Sequence, residues 1–376
     1  MGEKFDHDVI VVGGGAMGAS TAWQLASDGR DVLLLERFEM GHANGSSHGH
    51  SRIFRVAYRD SRYSELALQA LSWWRILEQE CGEILLNQCG QIDHGSHAAL
   101  DEVAESLALS RRPFERLSQR EAEIRWPGIR TVDGCVFSPD GGFVAADRSV
   151  AALYGMAVAA GAEIRTDHCV ENIELLSANR GVRIATAHGS WTAPVVVVAA
   201  GAWVREVLAD VVALPPLAVT LATPSHFHPV AADATPWPSV LHHIDARSPL
   251  TFGSYAVWAP GIGMKVGLED TVRSADPNDR AFGPSTEDVA ALAEHVAAWF
   301  PGLDPTPVDP HTCLFTSTPD EHFVLDRQGP IVVVSPCSGH GFKFVPAIGR
   351  LAADLAESPL ADAADVARHA MWRLPS

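Results

Sequence analysis

The residues best suited by type and spacing to do chemistry lie near the start of the chain. Gly13, Gly15 and Gly18 form a Gly-x-Gly-x-x-Gly hexad that encloses Ala16 and Met17, and Glu36 follows 18 positions after the last glycine. This spacing handles a pyrophosphate. The first glycine turns the chain tightly, the second lets phosphate approach the backbone, and the third lets a helix pack closely on a strand. An acid at that distance accepts hydrogen bonds from a ribose diol. The hexad alone is a weak signal, because glycines are common at turns, and its surroundings decide. The six cysteines (Cys81, Cys89, Cys135, Cys169, Cys313 and Cys337) form no CxxC pair and no Cys/His cluster at zinc spacing, so the default for each is a buried, reduced, small apolar residue. His242, His243 and His340 have no Cys or acid at ligand spacing, so a metal is not expected.

The flanking elements supply the context. Residues 8–12 are a β-branched run that stops at the hexad, residues 19–27 carry helical apolar spacing, Gly29 ends that helix, and residues 31–36 form a second strand closing on Glu36. This is a βαβ unit with a right-handed crossover, and in that setting the hexad reads as an adenine-dinucleotide site. The rest of the domain returns in pieces. A helix is expected at 149–160 with Gly161 as its stop, then strand-like alternation at 163–174 and another strand near Val182. A buried strand at 195–199 runs into Ala200-Gly201-Ala202-Trp203, and a last strand at 331–335 enters a Gly-rich turn and a helix at 345–356.

The expected fold is therefore α/β, with a discontinuous dinucleotide-binding domain built from residues 1–86, 146–215 and 313–376. Residues 87–145 and 216–312 are α+β insertions, the second rich in prolines and in alternating apolar runs suited to an antiparallel sheet. They are expected to cover the cofactor and form a substrate pocket at the junction, in one rigid body.

Composition narrows the class further. The chain has 376 residues, 47% apolar and 20% charged, and 28 Lys and Arg against 46 Asp and Glu give a net charge of −18. Seven per cent aromatics and a mean hydropathy of +0.05 exclude a disordered chain. The acidic balance argues against a nucleic-acid ligand, which gathers Lys and Arg into a positive face. The longest apolar stretch, residues 193–204, falls well short of the roughly 18 consecutive residues of a membrane span. No secretory pattern opens the chain, and Asp6 does not suit acylation at Gly2. A cytoplasmic protein is expected.

Beyond the hexad, resemblance becomes specific. The segments GSSHGHSRIFRVAY (45–58), MKVGLED (264–270), TCLFTSTPDEHFVLD (312–326) and CSGHGFKF (337–344) resemble those of the monomeric sarcosine oxidase and N-methyltryptophan oxidase family, in the same order and nearly end to end. That family comprises FAD-dependent amine oxidases of the D-amino-acid-oxidase-like group. The resemblance implies FAD held covalently through a thioether from Cys313 to the flavin 8α carbon. It implies Arg52 near the flavin ring and the substrate carboxylate, with Arg55 on the same helical face or an adjoining turn. Lys343 matches the second cation at the substrate carboxylate, and the helix start beyond it suits negative charge growing at flavin N1 and the C2 carbonyl. Lys265 matches the lysine whose charge assists electron transfer from reduced flavin to O2. Arg37, Ser47, His48, Val170, Ala200, Gly201, Trp203, Gly339, His340, Gly341 and Phe342 complete the expected cofactor contacts.

Two departures bear on the substrate. Glu269 stands where sarcosine oxidase carries a histidine, and Phe315 stands where it carries a tyrosine; both place sarcosine itself in doubt. Glu269 favours a cationic nitrogen, accepts a proton, or pairs with a neighbouring cation. Tyr255 and Trp258 fall where the family places pocket aromatics, and core packing is equally consistent. The resulting expectation is an oxidase, acting as a monomer, that moves a hydride equivalent from a C–H beside nitrogen of a secondary or N-methyl amino acid to flavin N5. The imine product then hydrolyses, and O2 leaves as H2O2. Oxidation of a cyclic amino acid or imine, of the pipecolate or piperideine-carboxylate type, is the first alternative. An FAD dehydrogenase with another electron acceptor and a flavin-binding assembly factor are the others.

Overall fold

The computed structural model describes residues 4–177, 180–209, 211–231, 236–243, 253–268 and 272–358. A six-stranded sheet takes its strands in the order Val324–Gln328, Ile331–Ser335, Val195–Val198, Val9–Val12, Val32–Leu35 and Glu163–Arg165. All neighbours run parallel except the first pair. The strands are apolar on both faces because both faces are covered. Val9, Val11, Val195 and Val197 meet the helices Ala16–Ser27, Ala146–Ala159 and Val345–Glu357, while Ile10, Val12, Val196 and Val198 meet the antiparallel meander Val170–Leu175, Val182–Thr186 and Gly189–Ala193.

The expected strand-like run at 163–174 thus splits, its first part joining the main sheet and its second the meander. The helix Ala16–Ser27 approaches Val345–Glu357 through Gly349, where a Cβ would come within 2.1 Å of Ser20 Oγ.

A second sheet of seven strands runs in the order Ser225–Phe227, Gly263–Leu268, Ser254–Ala259, Ser239–His243, Gln91–Gly95, Cys135–Ser138 and Glu115–Leu117. It is antiparallel except where Ser239–His243 pairs parallel with Gln91–Gly95, a contact that joins strands from the two insertions. The helix Thr286–Trp299 packs against this sheet through Leu292 and Val296. Two smaller sheets follow. One pairs Ala218–Ala222 with Cys313–Ser317, and the other sets Ser51–Phe54 against Gly142–Ala145. Those two seams carry Cys313 and Arg52.

Candidate active site

The hexad has the geometry its spacing predicts. Gly13 adopts φ +99°, and a Cβ there would lie 2.5 Å from the Ala199 carbonyl oxygen. At Gly18 a Cβ would lie 1.8 Å from the Gly13 carbonyl oxygen, so only glycine admits the helix so close to the strand. Gly15 opens the helix Ala16–Ser27 without a side-chain cap, and its first N–H, on Ala16, donates to Ser47 Oγ at 3.0 Å. This uncapped helix start is an anion site by construction. Glu36 is buried at the end of its strand, where Oε2 accepts from Gly14 N–H at 2.5 Å and Oε1 from Phe38 N–H at 2.9 Å. The carboxylate therefore also braces the turn it was expected only to face.

These groups border a cleft of about 1980 Å³, counting its open mouth. Of the expected cofactor contacts, Gly13, Gly15, Ala16, Met17, Glu36, Arg37, Ser47, His48, Arg52, Val170, Ala200, Gly201, Trp203, Gly339, Gly341 and Phe342 all line it, as does Phe315. Gly18 lies behind the wall, where it sets the helix position. The sequence reading missed Tyr154, whose hydroxyl donates to the Gly14 carbonyl at 2.6 Å, and Asn278. Asn278 Oδ1 accepts from Arg37 at 3.0 Å and from Trp203 Nε1 at 2.9 Å, so the second insertion straps over one end of the cleft. Neither residue stands in a motif, and no local signal marks them.

Cys313 does not line the cleft; it is buried behind two residues that do, with Sγ 3.6 Å from His48 Nε2 and 4.0 Å from the Arg52 guanidinium. Burial pushes the thiol up, yet hydrogen bonds from His311 and His48 and the Arg52 charge outweigh it and hold the pKa well below the usual thiol value. Arg52 donates to the carbonyls of Ser46, His48 and Ser51 and lies 5.6 Å over the Phe342 ring. The expectation that Arg52 and Arg55 share a helical face or adjoining turn is corrected. Residues 51–54 are a strand, so side chains three apart point to opposite faces.

Arg55 instead meets Lys343. The Arg55 guanidinium sits 3.9 Å from the Tyr58 ring centroid and Lys343 Nζ sits 5.8 Å from it, both side chains being buried. Burial, and then the Arg55 charge, hold the Lys343 pKa well below the ordinary lysine value. Nζ donates to the His340 carbonyl at 2.7 Å, and no carboxylate pairs with it among the described residues. His340 itself faces away from the cleft, its Nε2 3.2 Å from the Glu321 carbonyl within a cluster of Tyr58, Tyr63 and Phe323.

Lys265 is buried on Gly263–Leu268, paired across the sheet with His226 and Val257. Its Nζ donates to the Ser51 carbonyl, one residue from Arg52. Burial, followed by the Arg52 charge, lowers its pKa well below the usual value. Tyr255 is half-buried, its ring accommodated by Gly267, where a Cβ would lie 2.4 Å from it; burial and the Cys313 charge push its phenol up. Trp258 packs into the core of the seven-stranded sheet. Glu269 lies outside the described residues.

A glycine cradle, an uncapped helix start and a long cleft that reaches Arg52 and Phe342 suit an FAD, while Cys313, Lys265 and Lys343 lie outside its lining. Residues 8–355 match the DAO family of FAD dependent oxidoreductases, and the chain belongs to that family. Among its relatives, monomeric sarcosine oxidase of Bacillus sp. (strain NS-129) is 32% identical over 364 residues, 93% of this chain and 92% of that protein. N-methyl-L-tryptophan oxidase of Yersinia pestis (strain Pestoides F) is 31% identical, covering 94% and 95%. Among solved structures, the open form of NikD, an unusual amino acid oxidase essential for nikkomycin biosynthesis, superposes with a TM-score of 0.83 at 28% identity over 96% of both chains.

Proposed function

We propose that this chain oxidises a secondary or N-methyl amino acid at the carbon beside nitrogen, with FAD as electron acceptor and O2 as its reoxidant, releasing H2O2. The observation that carries the reading is the buried Lys343 beside Arg55. A buried ammonium without a carboxylate costs free energy until an anion arrives, and a substrate carboxylate is that anion. Fixing it between a guanidinium and an ammonium leaves the amine end free to face the cleft. Relatives named as sarcosine and N-methyl-L-tryptophan oxidases support the substrate class.

When bound, FAD supplies a two-electron acceptor at its isoalloxazine ring. The protein's part is positional and electrostatic. The hexad and the start of Ala16–Ser27 would hold the pyrophosphate and Glu36 the adenosine end, with Arg37, Trp203 and Asn278 beside it. Cys313 Sγ would be the attachment point for the flavin, with Arg52 and His48 beside the sulfur. Lys265 would supply a nitrogen donor for the reduction of O2. The reacting amine is the unprotonated form, so kcat/KM rises with pH. Residues 1–86, 146–215 and 313–376 form the FAD-binding part, and residues 87–145 and 216–312 the substrate-binding part. A relative named monomeric sarcosine oxidase supports a monomer, and six cysteines without a disulfide fit a reducing cytoplasm.

Anaerobic titration of the yellow protein with a panel of N-methylated and cyclic amino acids tests the reading. Bleaching by an N-methyl amino acid, with H2O2 release on admitting air, is expected. Bleaching by cyclic amino acids alone establishes the cyclic alternative, which the acidic Glu269 keeps close. No bleaching by any amine overturns both.

A further inference from the structure

His226 presents an anomaly that the FAD cleft does not explain. Its ring is fully buried, yet neither Nδ1 nor Nε2 has a hydrogen-bond partner among the described residues. Buried imidazole nitrogens are normally satisfied, and leaving both open is costly unless something fills the gap. His226 does not line the cleft, and neither do Asp309 and His311.

The chain builds this corner deliberately. The His226 N–H donates to the Val308 carbonyl at 3.0 Å and the Val308 N–H returns to the His226 carbonyl at 2.8 Å, clamping the strand Ser225–Phe227 to the loop that follows. The His311 N–H donates to the Pro224 carbonyl at 3.3 Å and fastens the loop again. Between the clamps, Asp309 takes the left-handed conformation, φ 50°, and Pro310 stiffens the step to His311. One ligand atom from each of His226, Asp309 and His311 then lies within 4.8 Å of the other two.

We infer that His226, Asp309 and His311 form a binding site for one divalent transition metal ion of the zinc class. Two imidazoles and a carboxylate are a borderline donor set that suits zinc and cobalt(II) rather than calcium or magnesium, and water completes the coordination. His311 Nδ1 lies 3.0 Å from the Asp309 carbonyl oxygen, the kind of contact that fixes the tautomer of a ligating histidine, and its hydrogen bond to Cys313 is the contact the ion displaces. Asp309 is exposed and gives the ion a route from solvent. The zinc-spacing search along the chain misses this set because His226 lies 83 positions before Asp309 and only folding brings them together.

The test uses the flavin-containing enzyme, stripped with a chelator and titrated with Zn2+ against a metal-binding dye, and with Co2+ as a spectroscopic probe beyond the flavin absorption. One equivalent of Zn2+ and ligand-field bands of four-coordinate cobalt are expected. Asp309→Asn, which alters only an exposed side chain, and His311→Ala are expected to weaken binding at least about tenfold, and His226→Ala to abolish it. Either no stoichiometric uptake by the parent, or uptake of equal affinity in the parent and all three variants, overturns the site.

Discussion

At the scale of single residues, two side chains carry most of the functional reading. Replacing Lys343 by Met removes one of the two cations assigned to the substrate carboxylate while preserving side-chain volume. A charge-assisted hydrogen bond contributes about 1.5–3 kcal/mol, so kcat/KM is expected to fall roughly 10- to 100-fold, with flavin content unchanged. Steady-state H2O2 release measures this directly, and a variant with the parent's kcat/KM ends the assignment. Cys313→Ser is expected to let acid precipitation release the flavin, whereas the parent precipitate stays yellow. A parent that loses its flavin on the same treatment refutes the link. Cys313, Lys343 and the hexad could be singled out in the sequence because each sits in a short contiguous segment. It misplaced Arg55, because three-residue spacing was read as helical and the backbone of Ser51–Phe54 is extended, which turns Arg52 toward Cys313 and leaves Arg55 to Lys343.

At the scale of elements, the first βαβ unit was readable because its pattern is local: a β-branched run, the hexad, a helix and a second strand within about thirty residues. The seven-stranded sheet was readable only as a type. Its parallel joint pairs His94 with His242, and nothing in either segment specifies a partner 148 positions away. Helix packing behind the main sheet was equally hidden, because Gly349 gives no sign in sequence that it faces Ser20. A Cβ on Gly349 would lie 2.1 Å from Ser20 Oγ and 2.8 Å from the Ser20 carbonyl carbon, closer than real side chains come. Gly349→Ala is therefore expected to push Val345–Glu357 off Ala16–Ser27 and cost about 1–3 kcal/mol, read as a lower urea midpoint. Ser20→Gly in the same chain should recover part of the loss. An unchanged midpoint in the single variant means the helices do not meet as described.

For the molecule as a whole, the net charge of −18 describes the surface, while Arg55, Lys265 and Lys343 are buried and Arg52 is half-buried. The interior also holds neutral imidazoles, and these set an acid limit on stability. His94 and His242 stack with ring centroids 4.1 Å apart across the parallel joint, and Trp299 and His295 of the helix Thr286–Trp299 pack onto them. Burial, and then the neighbouring imidazoles, lower His242 to about 4; burial lowers His295 to about 4 and His94 well below its ordinary value. Asp93, hydrogen-bonded to His243 at 2.8 Å, is the acid at this seam. In the unfolded chain these three histidines titrate near 6.5, so between about 6.5 and about 4 the unfolded state binds more protons than the folded one. Stability is then fully present above about pH 6.5 and falls as the pH drops toward 4. Carboxylates held low by hydrogen bonds, such as Asp60, add their losses only below about pH 4. The urea midpoint should therefore decline between pH 7 and pH 5, and His295→Gln, which keeps a polar group but removes a titrating one, should make that decline shallower. A midpoint that stays level over this range, or a slope identical in parent and variant, shows that the seam takes up protons without cost.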